Sequence, residues 1–356
     1  MKKPNLAQLT ARAGLSRRAF VAGSLVSAAT LVLAGCNSGN GSSDSGSSSD
    51  KPASDAEKTK ITFCLDYTPN TNHTGIYVAQ NKGFFADEGL DVEIVQPADG
   101  TAEGAIGAGQ AQLGVSYQDY LAAAYDAGNT GLTAVAAVIQ HNTSGIMSRQ
   151  EDGITHAALM ENHVYTTWDM AVEQATIKQV MESDGGDFSK LQMVPFTVDD
   201  EVQGLKANMF DCVWVYEGWA VQNAAVQDYP VNYFSFKDMD DVFDFYTPVL
   251  AANNDFMKDN PDAVKAFLRA AKKGYEFAVD HPEDAAQILC DEVPELDSAL
   301  VEASAKFLAS QYTADAESWG VIDGKRWAAY FQWLNDNSLV ENKLDVNAGF
   351  DTSFLA

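Results

Sequence analysis

The sequence predicts an α/β protein of two domains, and three observations predict it. Short apolar strand-like runs alternate with stretches of helical apolar spacing from Lys60 onward, the pattern of a mostly parallel sheet flanked by helices. The body from Lys60 to the end is about 300 residues, enough for two domains. After about Thr247 the alternation gives way to helix upon helix, and no internal repeat is visible.

Strands are expected over residues 61–65, 90–95, 112–115, 132–139, 163–166, 191–195, 211–216 and 231–234, each rich in β-branched and apolar residues. Apolar residues three and four apart predict helices over 77–82, 101–108, 117–127, 169–182 and 198–208. Asn260-Pro261 supplies a cap and a first-position proline to a long helix reaching about Asp280, where His281-Pro282 ends it. Further helices are expected over 284–289, 297–310 and 324–337. In the last, Trp327, Tyr330, Phe331 and Trp333 are spaced to pack one face onto the core.

Ahead of this body lie Lys2, Lys3, Arg12, Arg17 and Arg18, then an apolar run from Ala19 to Leu33 that is too short to span a bilayer comfortably. Ser16-Arg17-Arg18-Ala19-Phe20-Val21 puts paired arginines directly before that run, as in a twin-arginine export signal. Leu33-Ala34-Gly35-Cys36 then places small residues before a cysteine, the order of a bacterial lipobox, which makes Cys36 the lipid-modified first residue of the mature protein. Residues 1–35 read as a signal peptide and 36–59 as a tether of Ser, Gly, Asp and Asn that buries too little apolar surface to order itself. The protein is therefore expected outside the cell membrane, anchored to its outer face by lipid.

Without residues 1–35 the chain keeps 18 basic and 50 acidic residues, a formal charge of −32. Such a body repels phosphate backbones, which argues against a nucleic-acid partner. Only Arg149, Arg269 and Arg326 remain as arginines, so an anionic ligand lacks its usual clamp and a neutral or cationic one is favoured. Cys64, Cys212 and Cys290 sit in apolar stretches without CxxC spacing and read as small buried hydrophobes. The five histidines show no metal-ligand spacing. No metal and no cofactor is expected.

Four constellations lie at strand ends, where open α/β sheets bind ligands. Residues 65–75 (LDYTPNTNHTG) carry Asp66, Tyr67 and Asn70, whose side chains serve equally well as turn formers and caps. Gly114 to Asp119 puts Ser116 and Tyr117 at a strand-to-helix junction, where Ser116 also suits an N-cap. Trp168 follows Tyr165-Thr166-Thr167, and Tyr216, Glu217 and Trp219 follow Val213-Trp214-Val215. Aromatic faces beside a carboxyl group suit a flat ring with polar edges, stacked on its faces and hydrogen-bonded at its rim.

The 65–75 segment, together with Ala79 to Val95 (AQNKGFFADEGLDVEIV), closely resembles the thiamine-pyrimidine precursor binding proteins of ABC importers, which are similar to eukaryotic thiamine pyrimidine synthases. The resemblance continues through Gly114 to Gln118, Ile139 to Gly145, Asp184 to Phe188 and Tyr216-Glu217-Gly218. It implies a two-lobe type II periplasmic-binding-protein fold with a hinge, one lobe being residues 60–145 plus 247–356 and the other 146–246. It also implies a non-enzymatic binder that passes a 4-amino-2-methylpyrimidine, in formylaminomethyl or hydroxymethyl form, to an importer permease. By motif match Tyr67, Asn70, Tyr216 and Glu217 face the ring, Glu217 meeting its amino group and ring nitrogen. The chain departs from the family pattern in having Tyr67 in place of a tryptophan and Thr166-Thr167 in place of a glycine-rich turn. The alternatives are another solute on the same fold, a riboflavin or a sulfonate, or a pyrimidine synthase; scarce arginine opposes the sulfonate and the lack of a cysteine cluster opposes the synthase.

Overall fold

Why two sheets form follows from where the buried β-branched runs fall. The computed structural model describes residues 58–97, 101–196 and 200–355. The segments expected to be an export signal and a tether, with Cys36 between them, lie outside these up to residue 57. In chain order the strands are β1 (Thr59–Cys64), β2 (Leu90–Val95), β3 (Leu113–Ser116), β4 (Leu132–Ala137), β5 (Ser144–Arg149), β6 (Val164–Thr167), β7 (Gln192–Pro195), β8 (Cys212–Tyr216), β9 (Val231–Ser235) and β10 (Val249–Asn253). One sheet has the order β2-β1-β3-β10-β4, the other β7-β6-β8-β5-β9.

The helices before the second sheet are α1 (Thr74–Asn81), α2 (Phe84–Asp87), α3 (Ala102–Gly107) and α4 (Gln118–Asp126). Those among its strands are α5 (Ala171–Ser183), α6 (Glu201–Lys206) and α7 (Gln222–Val226). The C-terminal series is α8 (Asn254–Asp259), α9 (Pro261–Asp280), α10 (Pro282–Glu292), α11 (Ser298–Ala309) and α12 (Gly324–Asp336).

Two strands escape the sequence reading. β5 and β10 are each antiparallel to both of their neighbours, so both sheets are mixed rather than mostly parallel. Both are buried at every residue, which removes the in-and-out alternation that marks a half-exposed strand. A five-residue apolar run such as Val249–Asn253 cannot be told from buried helix by periodicity.

The chain passes from the first sheet to the second between β4 and β5 and returns between β9 and β10, and the two crossing segments are stitched together. Val138 donates to Pro248 O (3.0 Å), and Asn142 donates through its backbone to Asp244 Oδ1 (2.9 Å) and through its side chain to Phe243 O (2.8 Å). Asp244 Oδ2 also receives Arg326 (2.9 Å) and meets His141 Nδ1 at 2.7 Å. The aromatic face of α12 packs here: Trp327, Tyr330, Phe331 and Trp333 are all buried, Tyr330 stacking on Phe245 and Trp333 meeting Phe243 edge-on.

α9 crosses α1 at glycines. A Cβ on Gly274 would stand 1.9 Å from Gly75 O, and one on Gly75 would enter the Tyr275 ring. This crossing fixes α1, and with it the loop between β1 and α1. Cys64 and Cys212 are buried, Cys290 is partly buried, and all three are free thiols.

Candidate functional site

The carboxyl ends of β1 and β3 in one sheet and of β6 and β8 in the other deliver residues 65–70, 116–119, 167–170 and 216–219. After β1, the Asn70 side chain accepts from Asn72 N–H (2.9 Å) and donates to Thr68 O (3.1 Å), closing the turn that starts a short 3-10 helix. Asn70 N–H donates to His73 Nδ1 (3.1 Å), which leaves Nε2 as the donor to Asp66 Oδ1 at 2.6 Å. The Tyr117 hydroxyl donates to the other oxygen, Asp66 Oδ2. Burial opposes ionisation of Asp66, but His73 and the Tyr117 hydroxyl together hold its carboxyl below the ordinary range. The same contact helps to push the Tyr117 phenol well up, after burial.

Both acceptor oxygens of Asp66 are thus engaged within the protein, and the group it positions is the Tyr117 ring. Ser116 donates to buried Glu103 Oε1 (2.5 Å), so its hydroxyl holds α3 against β3. Tyr67 is 69% exposed at the rim.

In the second sheet, Trp168 lies on a loop fixed by a residue the sequence reading did not single out. Glu173, buried at the third position of α5, accepts from Tyr165 Oη (2.6 Å), Thr167 Oγ1 (2.8 Å), Trp168 N–H (3.0 Å) and Met170 N–H (3.4 Å). The signal for it was a glutamate three residues after the helix cap. The half-exposed Trp168 ring meets Trp214 at 5.6 Å.

Tyr216 has about a third of its surface exposed, 36%, while burial of its hydroxyl end raises its pKa, with Asp119, Tyr120 and Asp66 in electrostatic reach. It comes from the other sheet, so Asp66, Tyr117, Asp119, Tyr120 and Tyr216 share one environment. Glu217 has a different one. Burial raises its pKa, opposed by Lys237 and helped by Asp238, and it acts in turn on the Tyr233 phenol. Glu217 opens a π-helical turn (Glu217–Val221) that also carries the partly buried Trp219. Gly218 O in that turn accepts from Ser304 of α11, and Ser304 is bonded to Thr71 at 2.6 Å.

Asp119, in the first turn of α4, is a second acid the sequence reading passed over. Burial raises its pKa to about 6, against backbone amides of α4 that stabilise the anion, and Glu103 adds repulsion. Its Oδ1 is buried without a hydrogen-bond partner.

The family model for NMT1/THI5-like proteins matches residues 70–285, more than half of the chain. The chain belongs to the NMT1/THI5-like family. Within curated proteins it is 26% identical over 336 residues to a formylaminopyrimidine-binding protein of Halalkalibacterium halodurans, covering 91% of this chain and 96% of that one. It is 25% identical over 252 residues to a 4-amino-5-hydroxymethyl-2-methylpyrimidine phosphate synthase of Saccharomyces cerevisiae, covering 68% and 73%. Among solved structures, the periplasmic aliphatic sulphonate binding protein SsuA of Escherichia coli superposes with a TM-score of 0.64 at 15% identity, over 81% of this chain and 96% of that one. This family member thus has the two-lobe periplasmic-binding-protein fold, its two mixed sheets joined by a hinge of two crossing segments.

Proposed function

We propose that the chain is the substrate-binding lipoprotein of an ABC importer. It holds a thiamine-type aminopyrimidine, formylaminopyrimidine or hydroxymethylpyrimidine, in the cleft between a lobe of residues 60–145 with 247–356 and a lobe of residues 146–246. The observation that supports this reading is that two phenols from different sheets, Tyr117 anchored on Asp66 and Tyr216 at the end of β8, stand within electrostatic reach of each other. Trp168 lies at a neighbouring strand end. Such a set sandwiches a flat ring. The near full-length match to a formylaminopyrimidine-binding protein supports the same ligand class.

In this reading Tyr67, Tyr117, Trp168, Tyr216 and Trp219 supply ring faces and phenolic donors, while Asp66, Asn70 and Ser116 hold them in place. Glu217, with its raised pKa, meets the ring's amino and ring-nitrogen edge on closure. Residues 1–35 direct export, the Cys36 thiol carries the lipid, and the tether lets the lobes reach the permease. The role is binding rather than catalysis. The near full-length likeness to a binding protein supports this, whereas the synthase relatives match a smaller share of the chain.

Denaturing extraction of the purified protein, mass spectrometry of the released small molecules and calorimetric titration of both pyrimidines test the proposal. An aminopyrimidine is expected, bound far more weakly by Tyr216→Ala and Glu217→Ala. Release of a flavin, or equal pyrimidine affinity in wild type and Glu217→Ala, would overturn the ligand or the site assignment respectively. Cys36→Ala is expected to leave the membrane fraction.

A further inference from the structure

The hydrogen bonds behind Tyr117 run in one fixed direction. They start from a backbone amide, Asn70 N–H, which can only donate and which gives its hydrogen to His73 Nδ1 at 3.1 Å. With Nδ1 accepting, the imidazole carries its hydrogen on Nε2 and donates it to Asp66 Oδ1 at 2.6 Å. Asp66, whose carboxyl is held below the ordinary range, is an anion at neutral pH and can only accept. Its Oδ2 takes the hydroxyl hydrogen of Tyr117. A phenol has one hydrogen, so the Tyr117 oxygen is left with lone pairs alone to offer.

Burial keeps that direction from reversing. The His73 side chain is fully buried and that of Asp66 exposes 6% of its surface, so bulk water does not replace either donor. Turning the Tyr117 hydroxyl elsewhere would leave a buried carboxylate oxygen without its donor, and hydrogen bonds to a charged group are the stronger class. Tyr117 itself is partly exposed, and two phenols stand near it: Tyr216 from the other sheet, within electrostatic reach, and Tyr120, whose ring lies 5.3 Å away. Its hydroxyl bonds to Asp66 and to neither of them. Of the phenols assigned above to the ligand, Tyr117 is thus the one that cannot donate to it.

We infer that Tyr117 determines specificity in the cleft: the chain from Asn70 through His73 and Asp66 makes its oxygen an obligate acceptor, which selects ligands that bring an N–H or O–H donor. The inference rests on the cleft reading given above. His73 and Asp66 are positioning residues, which set the end of the hydrogen bond that the phenol takes without touching the ligand. Both pyrimidines carry a suitable donor one methylene away from the ring, the formamide N–H of one and the hydroxyl of the other. A ligand with only an ether oxygen there sets lone pair against lone pair and leaves the phenol oxygen without a partner.

The test is calorimetry on the full chain with 4-amino-5-hydroxymethyl-2-methylpyrimidine and its methyl ether, the 5-methoxymethyl compound, as probes. Wild type is expected to bind the alcohol about tenfold or more tightly than the ether. Tyr117→Phe removes the acceptor and is expected to bring the two affinities together by weakening the alcohol. Asp66→Asn reverses the chain: the amide oxygen takes the His73 hydrogen, the amide N–H donates to Tyr117, and the phenol hydrogen is freed toward the ligand. The ether is then expected to bind this variant about tenfold more tightly than wild type, a gain that mere loosening of the loop does not produce. Circular dichroism checks that both variants fold. Equal binding of the two probes by wild type, a preference for the alcohol that survives in Tyr117→Phe, or no gain in ether affinity in folded Asp66→Asn would overturn the inference and leave the cleft reading standing. Failure of wild type to bind either probe would overturn both.

Discussion

Asp66 and Asp119 follow the ends of neighbouring strands, β1 and β3, and their surroundings treat the two carboxyl groups oppositely. Asp66 accepts from His73 and Tyr117, and its pKa falls; Asp119 leaves an oxygen unpaired, and its pKa rises to about 6. Linkage gives the two substitutions opposite signs. For Asp66, whose folded pKa is depressed, the stabilisation is fully present above the unfolded value near 4 and is lost as pH falls through the lower folded value. Asp66→Asn is therefore expected to lower stability at neutral pH by about 1–3 kcal/mol, with the difference shrinking in strong acid. For Asp119 the ionised form is penalised in the fold, so stability is lost as pH rises from about 4 to about 6. Asp119→Asn should raise stability at pH 7, with roughly 3 kcal/mol as an upper bound, and the gain should vanish near pH 4. Urea midpoints of the three proteins across this range check both signs; a destabilised Asp119→Asn at neutral pH would mean that Oδ1 is paired after all.

Elements position these residues through contacts that the sequence exposes unevenly. The strands and helices that alternate between polar and apolar residues were legible, as was the α12 aromatic face, because one side of each meets water. β5 and β10 were not: besides being buried at every residue, as β3 also is, they mix small, polar and apolar residues in short runs, SGIMSR and VLAAN, that carry neither alternation nor a β-branched signal, and each is inserted antiparallel into its sheet. At the site, the sequence placed Asp66, Tyr117, Tyr216 and Glu217 after strand ends, and the structure puts the first three in one environment and Glu217 in another. What escaped was which carboxyls serve inward: Glu173, marked only by its place three residues after the helix cap, binds four donors of β6 and the Trp168 loop, and Asp66 is spent on His73 and on Tyr117, the latter brought to it by a chain path that no local spacing encodes. Glu173→Ala should strand those donors at a cost of about 3 kcal/mol, loosen Trp168 and weaken ligand binding, read as a shifted tryptophan emission together with a lower calorimetric affinity. The α1–α9 crossing makes a sharper prediction. With a Cβ at 1.9 Å from Gly75 O the helices must separate, so Gly274→Ala should destabilise by about 1–3 kcal/mol or more, seen as a lower urea midpoint, although alanine favours helix intrinsically.

Across the whole molecule, the two sheets are linked covalently by the crossing segments and without covalent help by α11. Ser304 is fully buried, bonds to Thr71 beside the β1 loop and donates to Gly218 O in the π-helical turn after β8, so one hydroxyl links the segment after β1 to the turn after β8. The turn packs closely on α11 at position 218, where a Cβ would stand 3.0 Å from Leu308 and 3.2 Å from Phe307. A hydrogen bond made only when the two sides meet stabilises the closed arrangement selectively, and a ligand that needs closure gains affinity by the same factor. Ser304→Ala removes that donor and leaves Gly218 O and the Thr71 hydroxyl buried without it, a loss of about 1–3 kcal/mol from the closed state. If closure carries binding, the substitution weakens aminopyrimidine affinity roughly tenfold, mostly through faster dissociation, even though Ser304 need not touch the ring. Stopped-flow dissociation and small-angle scattering check this together: Ser304→Ala should release ligand faster and be more extended in its unliganded form, and an unchanged dissociation rate would assign Ser304 to the stability of α11 alone.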